Sequence, residues 1–187
     1  MKKASLILTL LFSSFGAFAQ KNTALSYIEQ FKTNAIQIMH ETGVPASIIL
    51  GVAMHESGCG NSSIAQHLHN QFGVKGGGGA VYYKNDKKVH SAYKRYDSIL
   101  ESFDDFARII TERQQLGRIS DQISQYDYAK WVKGIQKSGY ASSKKWGAQV
   151  LAIIRKYRLN DLDHAPADQP QTAEATTTPA DPADLKK

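Results

Sequence analysis

A chain of 187 residues suits one domain with room for a real hydrophobic core. Its composition includes a single cysteine, Cys59, which excludes an intramolecular disulfide and leaves stability to packing. The formal charge of +6 points, in an exported protein, to an anionic envelope polymer more readily than to nucleic acid.

Residues 1–19 read as a signal peptide. "MKK" is a basic start, "ASLILTLLFSSFG" an apolar run, and "AFA" before Gln20 a small–x–small cleavage site. The run is short for a bilayer span, which disfavours a retained anchor, and no cysteine follows the cut, which disfavours a lipoprotein. The mature protein is therefore expected in the periplasm or outside the cell, with no stable membrane insertion. Residues 164–187, rich in Pro, Ala, Thr and Asp and free of aromatics, read as a disordered tail. Lys2 and Lys3 fall in the leader, and the tail holds four acidic residues against two lysines. The domain between, residues 20–163, therefore keeps about +6 itself.

In that domain "TALSYIEQFKTNAIQIMHETG" puts Ile28, Phe31, Ala35, Ile38 and Thr42 on one helical stripe, with Gly43 as its stop. Pro45 suits the first turn of a second helix, "PASIILGVAMHES", where Ile49, Val52, Ala53 and Glu56 recur at helical spacing. "SSIAQHLHNQ" reads as a short helix capped by Ser62 or Ser63, and "FGVKGGGGAV" as loop. "AVYYK" and "VHSAYKRY", joined through Asn85 and Asp86, read as a β-hairpin. Ser98 and Glu101 form a capping-box pattern for "ILESFDDFARIITERQQ", with Ile99, Phe103, Phe106 and Ile110 on its buried face. Two further helices are expected around "DYAKWVKGIQKSG" and "KKWGAQVLAIIRKYRL". The fold class is mostly α, an α+β arrangement of helical bundle and small β lobe.

The chemistry centres on Glu56, an ionisable residue that closes an apolar run. A helix C-terminus and an apolar setting both disfavour a negative charge there, as suits an acid that hands a proton to a leaving group. A glycosidase needs such an acid beside the glycosidic oxygen. A partly exposed, solvated helix end is the plainer alternative. Zinc chemistry is a third: a metalloprotease helix carries ligands at i and i+4 with Glu between. From His55 the i+4 position is Cys59, however, and Gly58 intervenes. His67 and His69 keep a His/Cys site conceivable, but the motif is broken, so neither metal nor cofactor is expected. His40 and His90 read as surface residues.

"ILGVAMHESGCGNSSIAQHLHNQFGVKG" resembles the signature of the family-73 glycoside hydrolases, the bacterial N-acetylglucosaminidase domains of autolysins and of the flagellar rod-cap muramidase. The family pattern is A-x-x-E-S-x-x-G-x-S followed by N-x-F-G-[IV]-K-G. It is met here by Ala53, Glu56, Ser57, Gly60, Ser62 or Ser63, Asn70, Phe72, Gly73, Val74, Lys75 and Gly76. "YKRYDSILESFDDFARII" resembles the F-R-x-Y-x-S-x-x-x-S segment, and "SGYASSKKWGAQVLAIIRKYRL" resembles S-G-Y-A-T-D-x-x-Y.

The resemblance implies a lysozyme-like fold with the cleft between bundle and β lobe. It implies a monomer that hydrolyses peptidoglycan glycan strands after N-acetylglucosamine, with Glu56 as the acid and Tyr140 beside the reacting sugar. Ser57, Asn70, Phe72 and Lys75 would meet the substrate. Packing for Tyr140 and backbone capping for Asn70 are their ordinary structural alternatives. The family's second glutamate, in a T-x-E stretch of the β lobe, has no counterpart; between Gly73 and Arg95 the only carboxylate is Asp86. Asp86 is either the base that activates water or a turn former, and in the second case the substrate's 2-acetamido group would assist. A lytic transglycosylase and a non-catalytic wall-binding module stay open as rival functions.

Overall fold

The computed structural model describes residues 21–112 and 122–164. The expected signal peptide, and the expected tail beyond His164, lie outside the described residues. Helix α1 spans Ala24–Thr42, α2 Ala46–Ser57 and α3 Ser63–Leu68; strands β1 and β2 span Lys75–Lys84 and Lys87–Tyr93. Helix α4 follows at Ile99–Glu112, α5 at Tyr128–Lys137 and α6 at Trp146–Lys156, and a 3-10 turn closes the domain at Leu159–His164. His164, expected in the tail, belongs to that turn and stacks its ring on Tyr126 at 4.6 Å.

Helix α2 is the axis of the bundle. Every residue from Ala46 to Met54 is buried, with α1, α4, α5, α6 and the 3-10 turn packed around it. The expected stripe of Ile49, Val52 and Ala53 is therefore part of a helix apolar on all sides, as a central helix must be. Gly51 lets α6 come close: a Cβ there would lie 2.8 Å from Ile154 Cγ1 and 3.3 Å from its Cδ1. We expect Gly51→Ala to destabilise by about 1–3 kcal/mol through overpacking, partly offset by about 1 kcal/mol of helix propensity. A urea midpoint at or above the parent's would show that α6 yields freely.

Helix α1 follows its sequence pattern, burying Phe31, Ala35 and Ile38 together with Tyr27 and Met39, and it ends at Gly43, φ +75°. Pro45 lies one step outside α2, as its N-cap. Ser62 caps α3, accepting from the Ala65 N–H at 3.2 Å. In α4, Ser98 accepts from the Glu101 N–H at 3.1 Å, while the Glu101 carboxylate reaches back to the Asp97 N–H at 2.8 Å. Phe103, Phe106 and Ile110 are buried as expected.

The hairpin forms the one sheet among the described residues, antiparallel, with Lys84 opposite Lys87. Asn85 and Asp86 both take left-handed backbone angles, φ +49° and +59°, as a two-residue hairpin turn demands. The glycine run expected as loop lies within the Lys75–Lys84 span of β1, although Gly76–Gly79 all have positive φ and fall in the register irregularity between Lys75 and Ala80. Gly79 is irreplaceable in that path: a Cβ would sit 2.8 Å from the Ser91 carbonyl oxygen. The lobe is tied to α3. Arg95 donates to the His67 and Val81 carbonyls, and His67 packs against Tyr82 at 4.8 Å.

Candidate active site

Glu56 stands in the last turn of α2, where the buried axis helix emerges. The helix stops at Gly58, φ +59°, and Ser57 fixes the stop. The Ser57 hydroxyl donates to the Ala53 carbonyl at 2.6 Å and accepts from the Gly60 N–H at 2.7 Å. Glu56 is half-buried, and its Oε1 accepts a 2.7 Å hydrogen bond from the Trp146 indole N–H. Its Oε2 faces Gly73, where a Cβ would come within 3.9 Å. The carboxyl opens into a cleft of about 620 Å³ whose lining includes His55, Glu56, Gly73, Lys75, Tyr140 and Trp146.

An aromatic chain supports the cleft wall. Tyr27, Phe31, Phe103 and Phe72 follow one another at ring separations of 4.7, 5.2 and 5.1 Å. Phe72 stacks on Phe106 at 4.3 Å, Phe106 meets Tyr140 at 5.8 Å, and Tyr140 meets Trp146 at 5.6 Å. The Tyr140 hydroxyl donates to the Phe72 carbonyl at 3.1 Å, pinning the loop before the β lobe to the loop before α6.

Of the residues expected from the sequence, Glu56, Phe72, Lys75 and Tyr140 meet around this one cleft. Ser57 and Asn70 lie behind it. Both are 1% exposed. Asn70 donates to the Val74 and Lys94 carbonyls at 2.9 and 2.8 Å and accepts from the Val74 N–H at 3.1 Å, so it clamps both ends of the β lobe. Phe72 lines the cleft while its ring is buried in the core. Lys75, exposed on the rim, holds its ammonium 5.9 Å from the Tyr93 ring.

This geometry has relatives. The family model described as mannosyl-glycoprotein endo-beta-N-acetylglucosaminidase matches residues 32–159. The chain belongs to the glucosaminidase family. Exo-glucosaminidase LytG of Bacillus subtilis is 27% identical over 148 residues, covering 73% of this chain and 52% of that protein. The peptidoglycan hydrolase FlgJ of Escherichia coli K12 is 25% identical over 148 residues, covering 71% of this chain and 46% of that protein. The chain thus spans about half the length of these curated relatives. Among solved structures, the glycoside hydrolase domain of Salmonella typhimurium FlgJ superimposes with a TM-score of 0.59 at 20% identity, covering 73% of this chain and 89% of that one. The catalytic domain of the autolysin Auto from Listeria monocytogenes gives 0.59 at 20% identity, covering 78% and 91%. The fold is therefore that of the glucosaminidase domains.

In this glucosaminidase domain Asp86 sits exposed at the hairpin tip, apart from the cleft lining. The sites weighed for zinc are engaged separately. The His55 ring packs edge-on to Trp146, His67 Nδ1 lies 3.0 Å from the Ser63 carbonyl, and His69 Nδ1 lies 3.1 Å from the Tyr96 carbonyl. Among the described residues no three His, Cys, Asp or Glu side chains gather as a metal site would require. His40 and His90 are exposed.

Beyond Val74, Lys75 and Ile109 a second hollow opens, with Lys94, Asp105 and Arg108 in its wall. Asp105 receives the Tyr96 hydroxyl at 2.6 Å, the Lys94 ammonium at 3.1 Å and the Arg108 guanidinium. Burial works against its charge, but those three donors outweigh it and hold the carboxyl below the usual carboxylate range. The residue that the sequence reading missed is Trp146, which belongs to the site through a contact 90 positions away.

Proposed function

We propose that this chain is an exported monomeric hydrolase of bacterial peptidoglycan, cutting the glycan strand after N-acetylglucosamine with Glu56 as general acid. The observation that carries this reading is one carboxyl, half-buried at the end of an apolar helix, opening into a cleft between bundle and β lobe. Membership of the glucosaminidase family, whose description names an endo-acting beta-N-acetylglucosaminidase, supports it. So does the action on peptidoglycan stated in the name of the FlgJ relative. Tyr140 flanks the reacting sugar, and Lys75 on the rim suits an anionic wall polymer. Export agrees with a wall substrate; among the described residues no helix is long and apolar enough to cross a membrane. The test is incubation of the purified protein with peptidoglycan and analysis of the new chain ends. N-acetylglucosamine at the reducing ends is expected. Anhydro sugars would make the protein a transglycosylase, and binding without new ends a wall-binding module.

Two routes supply the second half of the reaction. As a base, Asp86 must be carried over the cleft by the hairpin. Glu56 is the one carboxylate lining the cleft among the described residues, and this favours assistance by the substrate's 2-acetamido group. Asn tolerates the same left-handed turn. On the acetamido route Asp86→Asn therefore keeps activity within about threefold of the parent, and the first product retains its anomeric configuration. A loss of about 10²-fold with an inverted product returns the role of base to Asp86.

A further inference from the structure

The two oxygens of Glu56 differ in their surroundings. Oε1 is committed to the Trp146 indole N–H at 2.7 Å, while Oε2 is turned to the backbone of Gly73. Trp146 is 2% exposed, so its N–H requires an internal acceptor. An indole N–H donates and never accepts. A carboxyl O–H aimed at it would set hydrogen against hydrogen, so the neutral acid carries its proton on Oε2. We infer that Trp146 is a positioning residue that fixes the plane of the Glu56 carboxyl and assigns the transferable proton to Oε2. This rests on the reading of Glu56 as general acid.

The indole is held from several directions. Trp146 opens α6, with its ring edge-on to His55 and tilted against Tyr140. Gln136 donates to the Ser143 and Lys144 carbonyls at 3.2 and 3.0 Å, fixing the turn that leads into it. Gly147, next in the chain, allows close approach to α5: a Cβ there would lie 3.3 Å from Val132 Cγ1. Trp146 stands where the pattern S-G-Y-A-T-D-x-x-Y ends in Tyr. A phenol hydroxyl both donates and accepts, and so permits the proton on either oxygen. The indole removes that choice.

The consequence falls on the chemical step. The proton leaves Oε2 for the glycosidic oxygen as the bond from that oxygen to C1 breaks, and the bonding pair stays with the oxygen, which becomes a hydroxyl. One water is consumed: its oxygen ends bonded to C1, and its spare proton restores the acid. While the proton is away Glu56 is a carboxylate, and the indole bond becomes charge-assisted and stronger. An interaction that strengthens toward the transition state is felt in kcat rather than in KM.

Two measurements test this. With peptidoglycan as substrate, Trp146→Phe keeps a large ring without the donor; kcat is expected to fall about 10–100-fold with KM within about twofold, and Trp146→Tyr, a donor that leaves the proton free to sit on either oxygen, to recover part of the loss. A parental kcat in the Phe variant, or a loss that Tyr does not relieve, overturns the inference. The second readout needs no activity. The chain has two tryptophans, so two indole N–H signals appear in a proton–nitrogen correlation spectrum. Glu56→Gln should move the Trp146 signal and leave that of Trp131, which donates to the Ser124 carbonyl at 3.2 Å. A Trp146 signal that stays fixed ends the inference whatever the kinetics. If the signal moves and Glu56→Gln still cuts peptidoglycan at the parental rate, the reading of Glu56 as the acid fails while the contact stands.

Discussion

Glu56→Gln is expected to fold like the parent and to lose about 10²–10⁴-fold of its turnover on peptidoglycan. Glutamine keeps the side-chain length and an oxygen to accept the Trp146 N–H, so the buried indole loses no partner. What it lacks is a proton that can leave. Without that transfer the departing sugar must go as an alkoxide, the costly species that general acid catalysis avoids. Affinity for the glycan should be nearly unchanged, because the amide fills the same space, and the loss should therefore lie in kcat. Thermal unfolding within about 2 °C of the parent would show that the loss is chemical, since surface-lining changes of this kind rarely exceed about 0.5 kcal/mol. A folded Glu56→Gln protein that degrades peptidoglycan at nearly the parental rate would remove the glycosidase mechanism.

The parts of this site written locally in the chain were the legible ones. Helices α1 and α4 bury one face each, and their apolar spacing states which residues go inside. The hairpin was marked by Asn85 and Asp86, residue types that accept the left-handed angles the turn imposes. The glycine run misled because its composition is that of a loop. Bracketed by the Lys75–Tyr93 and Ala80–Ser91 pairs, it is an irregular stretch of β1 whose positive φ angles favour residues without a Cβ. Helix α2 was legible as a helix but not as the axis, since a segment buried on all sides has no face for periodicity to reveal. Ser57 and Asn70 were marked by the motif they belong to, and a motif does not distinguish a residue that touches substrate from one that fixes the loop. Their hydrogen bonds give them the second task. Trp146 stands at the last position of the S-G-Y-A-T-D-x-x-Y pattern, but its bond to Glu56 is not written there. Its role exists only because α6 packs against α2 and delivers an indole to a carboxyl 90 residues earlier, and nothing near either residue encodes that crossing.

The same long reach governs the other end of α2, where the largest stability effect is expected. Pro45 is the N-cap there and offers no side-chain acceptor. The cap comes instead from Asp163 in the closing 3-10 turn, whose carboxyl receives the Ser47 N–H at 2.8 Å and the Ser47 hydroxyl at 2.7 Å. Asp163→Ala leaves both donors unmet in a buried setting and removes the cap of the axis helix, which should destabilise the domain by about 2–4 kcal/mol. Asp163→Asn keeps an acceptor for the N–H, and the Ser47 hydroxyl can accept from its amide, so about half that cost is expected.

The pH dependence separates charge from shape. Burial raises the Asp163 carboxyl above its ordinary value, against the lowering by the two Ser47 bonds and by the neighbouring His164. A raised native pKa means that the folded state holds its proton at a pH where the unfolded chain, near about 3.9, has released it. The resulting stabilisation is fully present below that unfolded value and is lost as pH rises through the native one. The parent's advantage over Asp163→Asn should therefore shrink as urea unfolding is followed from about pH 3.5 toward neutrality. An advantage that grows over that range would mean that the carboxylate, drawn by the N-terminus of α2, is the form the native state prefers.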